Sequence, residues 1–132
     1  MQKITASQKL VLSVLSETFT IHKLSPDASI PEEIMKNNYY SVSKTENELS
    51  LVCSDVIEVQ SLQSSKGWKC IKVAGPLDFN LTGILADISD ILAKGNFSIF
   101  AISTFDTDYI LVRTHDLSSA TTKLRQADYK FE

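Results

Sequence analysis

In the stretch STFDTDY, Ser103 to Tyr109, the carboxylates Asp106 and Asp108 stand among the hydroxyls of Ser103, Thr104 and Thr107, between the apolar runs FSIFAI and ILV. Three chemistries use such a group: acid–base catalysis, metal binding, and hydrogen bonding to a cationic ligand. Catalysis needs a second group, and the nearest histidine, His115, lies beyond an intervening strand-like run. A metal needs more ligands than Asp106, Thr107 and Asp108 supply, and no EF-hand spacing follows. Two readings remain, and they are compatible. The acids shape a turn, because Asp, Ser and Thr side chains bond nearby backbone groups, or they face a ligand.

The elements that must position this stretch parse clearly in the second half. Trp68–Val73 alternates with period two and predicts a half-buried strand, ended by Gly75-Pro76. Leu81, Ile84, Leu85, Ile88, Ile91 and Leu92 fall on one helical face. Asn80 or Asp78 is the expected cap, Gly83 falls in the first turn, and Gly95 is expected just past the end. FSIFAIS and TDYILVR predict a hairpin turning at Phe105–Thr107. Asp116–Ser119 offers caps for a shorter helix with Leu117, Ala120, Thr121 and Leu124 on one side, and Tyr129–Phe131 predicts a last strand. The order is β-α-β-β-α-β, the split ferredoxin-like arrangement with two helices on one face of an antiparallel sheet.

The first half is a weaker copy in element order. Leu10–Leu15 and Phe19–Leu24 predict one long bent strand or two, and Ser29–Met35 predicts about two helical turns with Pro31 in the first. YYSVSK, a polar TENE turn and LSLVCS predict a second hairpin. Ser61–Gly67 reads as a polar hinge. The fold class expected is α+β, with residues 1–62 a truncated β(α)ββ module and residues 63–132 a full βαββαβ domain.

With 132 residues, 43% hydrophobic and 22% charged, the composition is that of an ordinary globular chain. A net charge of -3 and scattered lysines and arginines argue against nucleic acid as a partner. No apolar run approaches the ~18 residues of a membrane span. LVLSVL is short and lacks a small-residue cleavage site, so no membrane partner and a cytoplasmic location are expected. Cys53 and Cys70 are too isolated for a disulfide framework or metal knuckle and read as buried filler. His22 and His115 read as surface residues, Trp68 as a residue at a module or subunit seam, and Lys66, Lys69 and Lys72 as a solvated or seam-facing strand side. GPLDFNLTG lacks the Lys-Ser/Thr ending of a phosphate loop.

The block GPLDFNLTGILADISDILAKGNFSIFAISTFDTDYILVR carries two motifs, G-P-x-D-F-x-x-T-G-I-L and F-A-I-S-T-[FY]-x-T-D-Y-[IV]-L-V. It resembles the C-terminal module of small bacterial proteins with two ACT domains. It is similar also to part of the eukaryotic cytosolic arginine sensors and, more distantly, to the regulatory ACT pair of aspartate kinases. The resemblance spans about Gly67 to Glu132. It implies a regulatory fold, without catalysis or cofactor, whose modules pair side by side and hold an amino acid at their seam. The positions it implies for the ligand are Leu77, Asp78, Phe79, Asn80, Leu81, Thr82, Gly83 and Ile84, with Ser103, Thr104, Phe105, Asp106, Thr107 and Asp108 at the hairpin.

Physical chemistry agrees with those positions. A helix start presents unpaired N–H groups to an α-carboxylate, and the two acids can accept from an ammonium group. The leading expectation is a non-catalytic amino-acid sensor or regulatory subunit that forms a homodimer and acts on a protein partner. One alternative is a dimerisation module without ligand. Another, an acylphosphatase-like enzyme, requires a phosphate loop with an arginine, and AGPLDFN has none.

Overall fold

The computed structural model describes residues 2–3, 10–75 and 81–132. In chain order its elements are β1 (Gln2–Lys3), β2 (Val11–Leu24), a 3-10 turn at Glu32–Lys36, β3 (Ser41–Lys44), β4 (Leu49–Ser54) and β5 (Gln63–Val73). There follow β6 (Leu81–Thr82), α1 (Ile84–Lys94), β7 (Ile99–Ser103), β8 (Asp108–Arg113), a 3-10 turn at Thr114–Asp116, α2 (Leu117–Gln126) and β9 (Lys130–Phe131). Two compact units divide the chain, Glu17–Trp68 and Met1–Ser16 with Lys69–Glu132. The chain passes from one unit to the other inside the continuous strands β2 and β5.

In the larger unit β8 lies between β5 and β7, and it pairs antiparallel with β7 from Ile99↔Val112 to Ser103↔Asp108. β9 pairs in parallel with the start of β2, Val11↔Lys130 and Leu12↔Phe131. Ile84, Ile88 and Leu92 of α1 and Ala120 and Leu124 of α2 share one core with Ile71, Val73, Ile110 and Val112. Both helices therefore cover one face of the strands, the ferredoxin-like α+β arrangement that the element order predicts.

The ends of α1 differ from expectation. Leu81 and Thr82 are extended, paired in parallel with Gln2 and Lys3, and the helix starts at Ile84 behind Gly83. Gly83 is the N-cap, not a first-turn residue, and its φ of 88° is a left-handed conformation that glycine adopts without a Cβ clash. Asp78 and Asn80, the expected caps, lie outside the described residues. At the other end Asn96, not Gly95, takes the left-handed conformation, with φ 62°. Asn96 N–H bonds Ala93 O at 2.9 Å and Phe97 N–H bonds Leu92 O at 3.1 Å, a Schellman closure. Gly95 is needed for another reason: a Cβ there would stand 2.5 Å from the Phe97 ring. The end of α2 repeats this closure, with Asp128 at φ 76° and Tyr129 N–H on Leu124 O at 3.1 Å.

In the smaller unit β4 pairs antiparallel with β3 and with the second part of β2, the latter from Phe19↔Ser54 to Leu24↔Leu49. Its core joins Leu24, Ile34, Leu49, Leu51 and Cys53, with Ile57 and Val59 packed against it. The expected first helix is only the 3-10 turn Glu32–Lys36, whose Ile34 is buried. Leu10–Leu24 resolves into one strand rather than two. The polar hinge expected at Ser61–Gly67 is mostly strand, since β5 begins at Gln63. Trp68 is buried, its Nε1–H donating to Ser65 Oγ at 3.0 Å. His115 is exposed as expected, whereas His22 is buried.

Candidate functional site

The turn Thr104–Thr107 at the tip of the β7–β8 hairpin is built by its own hydroxyls. Thr104 N–H bonds Thr107 O at 2.8 Å, and Thr104 Oγ1 accepts from Thr107 N–H at 3.3 Å. The Thr107 hydroxyl points the other way and donates to Val73 O at 2.7 Å. Thr107 is only 5% exposed, so this bond between the tip and the last residue of β5 is shielded from water. Gly75 completes the joint: a Cβ on it would come within 3.0 Å of Thr107 Cβ and 3.1 Å of Asp106 O. The hairpin tip therefore rests on the chain immediately before residues 76–80. In the sequence Gly75 marks a strand stop and opens the G-P-x-D-F motif, and neither feature foretells its contact with Thr107.

The remaining expected residues divide by position. The Ser103 hydroxyl donates to Asp108 Oδ1 at 2.5 Å, the short distance of a charge-assisted bond. Asp106 is exposed and Phe105 is 79% exposed at the tip. Gly83 is exposed at the start of α1, while the Ile84 side chain is committed to the core. Leu81 and Thr82 contribute backbone to β6. Leu77, Asp78, Phe79 and Asn80 lie outside the described residues. The structure thus brings Asp106 and Thr107 onto Val73 and Gly75.

Electrostatics at the start of α1 involve Asp87 in its first turn, where an acid complements the helix dipole. Its carboxylate accepts a hydrogen bond from the Tyr129 hydroxyl. Burial first, and then this carboxylate, hold Tyr129 above the usual phenol range. Elsewhere burial pushes the Cys53 thiol up to about 11 and the Cys70 thiol up to about 12, the opposite of what a nucleophilic thiolate needs. Among the described residues no three His, Cys, Asp or Glu side chains stand together as metal ligands would. No helix among them is long and apolar enough to cross a membrane.

Two helices on one face of the strands, with a hairpin tip hung on the end of β5, make a ferredoxin-like α+β fold. Residues 63–126 match the ACT domain family, and residues 17–57 match a separate N-terminal-domain family. The crystal structure of an Agrobacterium tumefaciens protein is 32% identical, covers 94% of this chain and 92% of that one, and superposes with a TM-score of 0.85. The chain belongs to the family of that protein and carries an ACT domain. A Vibrio cholerae protein of unknown function, described as a possible transport protein, matches at 14% identity over 91% of each chain with a TM-score of 0.68. Clostridium acetobutylicum aspartate kinase, an allosteric enzyme, matches at 15% identity and a TM-score of 0.62, over 85% of this chain and 33% of its own. These last two are likenesses of fold.

Proposed function

We propose that this protein is a non-catalytic cytoplasmic regulator that binds a free amino acid through its ACT domain and changes its assembly in response. In this reading residues 63–132 are the ACT domain and residues 1–62 a truncated ACT-like module. The ligand lies at the seam formed when two chains pair as a homodimer, against residues 77–84 and 103–108. The observation that carries the proposal is the joint of Thr107 and Gly75, which anchors an acid-bearing hairpin tip on the end of β5. The helix start offers N–H groups to the α-carboxylate, and Asp106 offers an acceptor to the α-ammonium group. Ligand that favours the paired arrangement shifts the population toward it, and the paired form passes the signal to a protein partner. At 100-fold over its dissociation constant a ligand would stabilise the bound form by about 2.7 kcal/mol.

A second reading follows from the bond between Ser103 and Asp108. A carboxylate already held by its own hairpin is a turn former, and the ACT domain then serves as a pairing module without ligand. A thermal-shift screen of the full chain against the common amino acids, with light scattering for subunit number, separates the two. A stabilisation by one or two amino acids that is lost in Gly83→Ala and Asp106→Ala supports the sensor. A flat panel with a stable dimer supports the pairing module, and a flat panel with a monomer overturns both.

A further inference from the structure

The smaller unit contains a cleft of about 610 Å³ lined by residues of that unit. Thr20 and His22, two apart on β2, line it together with Lys66 of β5 and with Asp55, Glu58 and Ser61 of the segment that follows β4. That segment is tied down at both ends. Asp55 N–H bonds Thr18 O at 2.9 Å, and Leu62 N–H bonds Lys23 O at 2.8 Å. Between these anchors Ser61 Oγ meets His22 Nδ1 at 3.2 Å. The walls of the cleft are therefore held by backbone hydrogen bonds, not by side chains alone.

His22 is only 6% exposed, and its Nε2 is buried without a hydrogen-bond partner among the described residues. A buried ring nitrogen without a partner is costly, and native chains seldom retain one without a use for it. Burial, and then the Lys66 ammonium, keep the ring below its ordinary pKa of 6.5 and thus neutral at neutral pH. The charges around the opening are mixed. Lys66 supplies one cation, and Asp55 and Glu58 supply two anions, all on exposed side chains. A ligand with only negative charge would meet the two acids, and one with only positive charge would meet Lys66. A molecule carrying both charges suits the cleft.

We propose that this cleft is a second binding site, for a small zwitterion of the free amino-acid class, with its carboxylate on Lys66 and the His22 side and its ammonium on Asp55 and Glu58. Ile57 gives the ligand's carbon skeleton an apolar wall. The site uses no residue of the ACT-domain seat and stands independently of it.

The test is NMR on the full chain, because its two histidines give separate reporters: His22 in the cleft and the exposed His115 as a control. The probes are a panel of L-amino acids, with acetate and methylammonium as the two half-ligands at matched ionic strength. The expected result is a saturable shift of the His22 ring signals and of the amides of residues 55–61 by at least one amino acid. That amino acid should bind at least about tenfold more tightly than acetate or methylammonium. Lys66→Met, an exposed substitution that leaves the core alone, should weaken it about tenfold or more, and Asp55→Asn should do so to a smaller degree. The proposal is overturned if no amino acid shifts His22 at millimolar concentration. It is also overturned if acetate binds as tightly as the amino acids, or if Lys66→Met binds like the parent. Shifts confined to residues 83–84 and 103–108 would overturn this site and support the ACT-domain seat. Shifts at His22 alone would do the reverse.

Discussion

The larger unit covers its strands with two helices, whereas the smaller one has only the 3-10 turn Glu32–Lys36 and the loop that follows β4. In the first, Ile84, Ile88, Leu92, Ala120 and Leu124 meet the strand residues in one continuous apolar cluster. In the second, Ile34, Ile57 and Val59 cover part of the strand face, and Thr20, His22 and Lys66 line an open cleft on the rest. A helix presents an apolar residue every three or four positions and closes a face efficiently. A short turn and a loop cannot, and polar groups occupy the uncovered remainder. The larger unit closes its strand face with helices, and the smaller one leaves a cleft on part of its own.

The comparison predicts unequal responses to core truncation. Ile88→Ala removes a fully buried side chain beneath α1 and is expected to cost about 2–5 kcal/mol, read as a fall in the urea midpoint. Leu51→Ala, equally buried in the smaller unit, is expected near the lower end of that range because thinner cover can collapse around the gap. Equal losses would remove the distinction between the two cores.

Gly83→Ala should cost about 1–2 kcal/mol, since its φ of 88° forces any side chain into a left-handed conformation. The loss should appear as faster amide exchange in the first turn of α1, with the smaller unit unaffected. An unchanged exchange pattern would mean that the backbone relaxes at little cost.

The free cysteines probe local opening, one in each unit. Both are fully buried, so a thiol reagent reaches them only when the structure opens. Cys53 in the smaller unit should label roughly tenfold faster than Cys70 under native conditions, a difference of about 1.4 kcal/mol in opening free energy. Identical rates at both sites would indicate one cooperative unit.

The smallest effect is pH-dependent. Burial depresses the folded pKa of His22 below 6.5, so the unfolded chain binds the extra proton more readily. Stability is then complete above pH 6.5 and falls as the pH drops toward the depressed value. His22→Gln should flatten that part of the profile in denaturant titrations at several pH values. A profile that keeps its slope would assign the acid sensitivity to the carboxylates.

Much of this architecture was legible in local patterns. The period of Ile84, Leu85, Ile88, Ile91 and Leu92 marks α1, and the two apolar runs around STFDTDY mark the hairpin. The errors fall where a residue's type fits two environments. Leu81 fits the helical period, yet it belongs to a strand. Gly95 looks like a helix terminator, yet the left-handed position is taken by Asn96, and the glycine makes room for Phe97. His22 reads as a surface residue on polarity alone, although it shares a strand face with buried Thr20 and Leu24.

By itself the sequence determined the order of the main elements of the second half, the two-helix core and the ACT-type block that ends at the hairpin. The elements rest on periodicity over a few neighbouring residues, and the ACT-type block on two short motifs that resemble a known family; the chain carries both locally. Only the tertiary structure decided that Thr107 hangs on Val73, that β9 pairs with the start of β2, and that His22 meets Ser61 in the lining of a cleft. Those contacts join residues 34 to about 120 positions apart. Their partners are chosen by which faces remain uncovered once the local elements have packed, and no short stretch of sequence records that choice.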